Sequence, residues 1–131
     1  LFSFLQSTIN IFDQSCISVL KEASNQKINI IAKEVFANGR LTNANTKFHS
    51  KEINSLTMIA KELDLTLEQL SFLWVYQMPF IKIVLTGATT IPQLQENLDS
   101  IKKKEVLIPD LENLAIPVDI YWTVRKSLSW N

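Results

Sequence analysis

IKIVLTGATTIPQLQENL, residues 81–98, holds a strand, a turn of small residues and a helix in that order. Ile81 to Leu85 is a short β-branched run of strand length. Thr86-Gly87-Ala88-Thr89 leaves it through small side chains, and Gly87 can take backbone angles that a Cβ forbids. Thr90 and Gln93 stand at the spacing of a capping box, so a helix is expected from about Ile91 to Lys103. A strand that opens a helix through such a turn leaves N–H groups at the positive end of the helix dipole, a place suited to an anion. The dipole contributes only about 0.3 to 1 kcal/mol, so side chains must supply the rest. A plain strand-to-helix turn with Thr90 as its cap accounts for the same residues.

The chain before this unit repeats its logic. Phe2 to Ile11 alternates apolar and polar residues as a strand does, and Asp13 can cap a helix running to about Gln26, with Cys16, Leu20 and Ala23 on one face. Ile28 to Ala32 reads as a strand buried on both faces. A polar connection follows from Phe36 to Ser50 and contains Gly39. Ser50 caps an amphipathic helix carrying Ile53, Leu56, Ala60 and Leu63. Thr66 and Gln69 box the start of another, which stops before Pro79. The tail after Pro109 reads as one or two helical segments. Strands alternating with helices predict an α/β fold with a parallel sheet, and three strands are few for a sheet that needs both faces covered and both edges paired. The missing strands are expected upstream, because the chain opens on Leu1 inside an apolar run, as if cut from something longer.

Composition narrows the function. The chain has 131 residues, 13 Lys+Arg against 13 Asp+Glu, 47% hydrophobic residues, one His and one Cys. A neutral chain of this length can bury roughly two-thirds of its unfolded surface, which argues for a folded unit. Balanced charge argues against nucleic acid as a partner, one Cys excludes an internal disulfide, and one His with one Cys cannot build a zinc cluster. Apolar runs such as Phe72 to Tyr76 are far too short for a membrane span, so a soluble, cytoplasmic protein is expected. Only two glycines occur, Gly39 and Gly87, so each is expected where the backbone demands it.

In parallel α/β folds chemistry sits at the carboxyl ends of strands, here near Gln6 to Asn10, Lys33 to Leu41 and Thr86 to Asn97. No G-x-G-x-x-G and no P-loop is present, which excludes the Rossmann and Walker readings. Gln93, Glu96 and Asn97 lie together on the first two turns of the last helix. Gln6 and Asn10 could orient a bound amide, or simply be polar residues at a strand end. Lys33 and Glu34 could pair with each other or with neighbouring loops. His49 reads as a surface residue, Cys16 as a small core residue and Lys102 to Lys104 as a solvated helix end.

Taken in order, Gln6 through Asn10, Ile31 through Thr42 and Thr86 through Leu98 resemble the aldo/keto reductase family. The resemblance runs from Phe4 to the closing pattern of Tyr121, Trp122, Arg125, Leu128 and Trp130. It implies a (β/α)8 TIM barrel that binds NADPH and reduces aldehydes or ketones, with residues 1–131 as the C-terminal portion of that single domain: strands six to eight and the tail. NADP is the cofactor implied, with NAD as the other candidate. The resemblance assigns Gln6 to the nicotinamide carboxamide, and Lys33, Glu34, Phe36, Asn38 and Gly39 to the nicotinamide and pyrophosphate side. Gly87, Ala88 and Thr89 would surround the adenosine 2′-phosphate, Gln93 would stand where an Arg often binds it, and Glu96 and Asn97 would contact adenine. Lys33 stands where many members have a stacking Tyr. The family's catalytic Asp, Tyr, Lys and His lie in the first four strands, so no catalytic residue is carried over.

Two functions follow as expectations. One is an oxidoreductase, represented here by its cofactor-binding half, whose partners are a small carbonyl substrate and either the missing N-terminal half or another copy of itself. The other is an inactive remnant or interaction protein that keeps part of the barrel. A free-standing three-strand binding module is a third. Leu5, Ile31 and Val84 are expected to depend for burial on cover from missing strands.

Overall fold

A computed structural model describes residues 2–129; Trp130, in the closing pattern, lies outside them. The elements are β1 (Phe4–Thr8), α1 (Ile17–Asn25), β2 (Asn29–Lys33), α2 (Lys51–Glu62), α3 (Leu67–Tyr76), β3 (Ile81–Val84), α4 (Ile91–Lys102), a 3-10 turn (Glu112–Leu114) and α5 (Val118–Ser127). The strands form one parallel sheet in the order β1-β2-β3. The α/β fold and parallel sheet expected from the alternation are therefore present, with helices flanking the strands.

Local chemistry sets most boundaries. Thr66 and Gln69 make both bonds of a capping box at α3, and Thr90 and Gln93 do the same at α4. Ser50 accepts from the Ile53 amide at the start of α2. The first helix differs from expectation. It begins at Ile17 with Cys16 at its N-cap and no side-chain cap, because Asp13 spends its carboxylate on the Ser15 amide and hydroxyl. Cys16 is consequently exposed rather than in the core.

The core lies on the helical side of the sheet. Ile30 and Ala32 point into it from β2, and Leu20, Leu56, Leu70 and Leu73 meet them from the helices. Strand β2 alternates buried and half-buried residues, so it is not buried on both faces. In the sheet register Leu5 pairs with the core residue Ile30 yet stays exposed at 39%, and Val84 pairs with the core residue Ala32; Ile31 pairs with Gln6 and Ile83. Leu5, Ile31 and Val84 thus do not share a face. The open face instead carries Phe4, Gln6, Ile31 and Ile83, and α4 carries a second exposed apolar stripe of Ile91, Leu94 and Leu98. Among the described residues no helix is long and apolar enough to cross a membrane.

Candidate functional site

Beyond β2 the backbone turns sharply. Glu34, Ala37, Asn38 and Gly39 all take positive φ, at 56°, 48°, 56° and 83°. Such angles are uncommon for residues with a Cβ and need the surrounding packing to hold them. That packing is visible: Val35, Phe36 and Ala37 are buried in the core, while Asn38 and Gly39 are exposed. Gly87, after β3, has φ 67° with open space where a Cβ would project. These two turns face each other across a cleft of about 550 Å³, closed by the start of α4, by Glu68 of α3 and by Arg125 of α5.

Lys33, Glu34, Phe36, Asn38 and Gly39 line the β2 side of this cleft, and Gly87, Ala88, Thr89, Gln93 and Asn97 line the side after β3. Gln6 lies elsewhere, exposed on the open face of β1. Glu96 stands outside the lining, where it accepts from Asn43 Nδ2 at 3.0 Å. Part of the turn before α4 is already bonded within the chain, while among the described residues no partner takes the Gly87 and Ala88 amides. Gln93 Oε1 accepts from Thr89 N at 2.9 Å, Thr89 Oγ1 at 3.2 Å and Thr90 N at 3.2 Å. The carboxamide oxygen sits where an anion's oxygen would.

Two acceptors in the lining are left over. Asn97 Oδ1 and Glu34 Oε2 are buried without a hydrogen-bond partner, a costly state unless a donor reaches them. The other oxygen of Glu34 takes the Arg125 guanidinium, with Nη2 at 3.4 Å. Sequence reasoning did not single out Glu68. Its place in the first turn of α3 could be read from the capping box, but its approach to α4 is tertiary. Burial raises the Glu68 pKa above its ordinary 4.5, the neighbouring Glu96 charge adds to this, and the Asn43 backbone partly offsets it.

This sets a pH dependence. A carboxylate whose folded pKa is raised binds more protons folded than unfolded between the two values, so stability falls as pH rises through that window. The window opens at about 4.5 and extends up to the raised value. We expect Glu68→Gln to flatten this slope and to raise the melting temperature at neutral pH. Melting curves of both proteins across pH check it; parallel curves would show that Glu68 ionises as freely folded as unfolded.

Asn10 does not face the cleft. Its Oδ1 accepts from the Phe12 and Asp13 amides at 3.0 and 2.9 Å, and its Nδ2 donates to Glu34 O and Tyr121 Oη at 3.0 Å each. Tyr121 in turn lies under the Arg40 guanidinium, 4.5 Å from ring centroid to Cζ. His49 is exposed, and Lys102 pairs with Asp99 at 2.6 Å. Among the described residues no group of three or more His, Cys, Asp or Glu could hold a metal ion. A larger cleft of about 960 Å³, lined by Trp74, Met78, Phe80 and Ile116 among others, takes no residue from the carboxyl end of a strand.

A sequence model of the Aldo/keto reductase family matches residues 2–113. The chain belongs to the aldo/keto reductase family. It is also similar to a probable voltage-gated potassium channel subunit beta of Arabidopsis thaliana, at 37% identity over 59 residues. That match covers 45% of this chain and 18% of the relative, so the chain spans less than a fifth of the curated relative it matches. Three parallel strands flanked by helices are what part of this family's barrel would contain.

Proposed function

We propose that residues 1–131 form the dinucleotide-holding portion of a single aldo/keto-reductase-type barrel domain, whose activity is the NAD(P)H-dependent reduction of an aldehyde or ketone. The observation that carries this reading is the cleft, which gathers the residues the family resemblance assigns to the cofactor, Gln6 and Glu96 excepted. Its chemistry fits such a group. Asn97 Oδ1 and Glu34 Oε2 lack donors, and a nicotinamide dinucleotide offers hydroxyl and amino donors. Gly39 and Gly87 leave open space for a backbone-close approach. When bound, the cofactor supplies the hydride; this chain holds and orients it. The proton donor comes from a segment that pairs with the open sheet, either an N-terminal half of the same domain or a second subunit.

The exposed α4 stripe supports a second reading, a partner-binding protein without catalysis that keeps this part of the barrel. The two readings separate in one experiment. The purified chain is titrated with NADPH and with NADH by fluorescence, then assayed with a panel of aldehydes. We expect dinucleotide binding that weakens about tenfold in Asn97→Ala, within the range for a lost buried hydrogen bond, and no carbonyl turnover by the chain alone. Absence of binding to either dinucleotide would favour the partner-binding reading. Turnover lost on changing Asn97 would place the chemistry on residues assigned here to cofactor contact.

A further inference from the structure

After α4 the chain runs KKKEVLIPDLE, residues 102–112, and it is gripped from one side. The Gln77 carboxamide, just past the end of α3, donates to Lys104 O at 3.0 Å and to Val106 O at 2.6 Å, and its oxygen accepts from Ile108 N at 3.4 Å. Bonds to the carbonyl of one residue and the amide two positions on are those a neighbouring strand would make, so the N–H and C=O of the intervening Leu107 face away from Gln77. The side chains alternate to match: Val106 and Ile108 pack on the core, whereas Leu107 is 86% exposed. Among the described residues nothing bonds the Leu107 N–H or C=O. The result is a short strand edge with an apolar residue at its centre. It shares no residue with the cleft between the two turns.

Charge is arranged about the same leucine. Lys104 lies three positions before it and Asp110 three positions after it, both exposed. Lys102 is paired with Asp99, and Lys103 donates to Asp64 O. Among the described residues no ion pair takes Lys104 or Asp110. A segment with a base at one end, an acid at the other and open backbone groups at its middle is complementary to itself when reversed. Two copies laid antiparallel about Leu107 exchange N–H to C=O bonds there, cover one leucine with the other, and set each Lys104 against the other copy's Asp110. Pro109 has no N–H and ends the ladder on its side, which keeps the pairing short. We infer that residues 104–110 are an isologous interaction surface whose partner is a second copy of this chain, docked antiparallel about a two-fold axis at Leu107.

The test is disulfide trapping in the full chain. In a Cys16→Ser background, Leu107→Cys brings two thiols to the axis, where the Cα atoms of a hydrogen-bonded antiparallel pair lie about 5.5 Å apart, within the span a disulfide bridges. Met58→Cys is the control: Met58 is 66% exposed on α2, and it reports random collision and association through other faces. Under mild copper phenanthroline oxidation, covalent dimer is expected from Leu107→Cys at least about tenfold faster than from Met58→Cys, because docking raises the effective thiol concentration. Lys104→Glu or Asp110→Lys, each added to Leu107→Cys, should slow trapping about threefold to tenfold, since each turns two attractions into two repulsions. Mixing these two variants should recover the rate in the mixed dimer, read by mass, because every altered charge then meets its opposite on the other copy. All the positions changed are exposed, so the core is left intact. Trapping at Leu107 no faster than at Met58 would overturn the proposal. So would a rate that neither charge reversal moves, or a loss that mixing fails to recover.

Discussion

Purified by itself, the 131-residue chain is expected to sediment as oligomers or larger aggregates and to lose its helicity over a broad range of temperature. Among the described residues β1 and β3 each offer one unpaired edge, and the open face between them carries Phe4 at 52% exposure. The α4 stripe adds Ile91 at 83%. Covering a large apolar side chain contributes roughly 1.5 to 3 kcal/mol, so a handful left uncovered rivals the ~5 to 15 kcal/mol that stabilises a typical domain. A second copy can satisfy the edges as readily as an N-terminal half would, which makes self-association the expected fate of the chain alone. Sedimentation velocity over a concentration series, joined to far-ultraviolet melting, reads the result. Replacing Leu94 and Leu98 together with Lys should shift the distribution toward smaller species. A monomer with one sharp transition would show that the open face and the α4 stripe are tolerated as solvent surface.

The largest single-residue loss of stability is expected at Asn10. Its side chain is fully buried, and it closes two backbone amides, one backbone carbonyl and the Tyr121 hydroxyl at once. Asn10→Ala would strand all four. At about 1 to 3 kcal/mol for each buried group left unsatisfied, reduced by relaxation, the cost is on the order of 3 to 5 kcal/mol. Asn10→Asp keeps the acceptor for Phe12 and Asp13 but loses both donors and buries a charge, so it should be no better. Denaturant unfolding of each variant, followed by Trp fluorescence, checks the ranking. A loss below about 1 kcal/mol in Asn10→Ala would mean that water replaces the knot.

The starts of α3 and α4 were foreseeable because a capping box is written within four consecutive residues, and the same holds for the turn at Gly87. Errors gathered where the deciding contact is remote. The strand expected to run to Ile11 ends at Thr8, because Asn10 folds the chain back on the Phe12 and Asp13 amides. Leu5 lies on the opposite face from Ile31 because it pairs with Ile30 in the regular β1–β2 register, and Val84 does so because a shift between Ile30 and Ile31 in the β2–β3 pairing sets it beside Ala32. The cleft's two turns could be located from short motifs. Its electrostatic character could not, since Glu34, Glu68 and Arg125 are far apart in the chain and line one cleft only once α3 and α5 have packed.

The bond from Asn10 to Tyr121 joins residues 111 positions apart, and the Arg125 to Glu34 pair joins residues 91 apart. Synthesis at about 5 to 20 residues per second separates the two ends of the first bond by roughly 5 to 20 s. Through that interval β1 is out, Asn10 just beyond its end unsatisfied toward Tyr121, while α5 is still being made. The last helix therefore acts as a late lock. Order at the end of β1, and with it the Glu34 wall of the cleft, is expected to arrive only after residue 125 has cleared the ribosome, so chains stalled before that point should be the ones that chaperones and proteases retain.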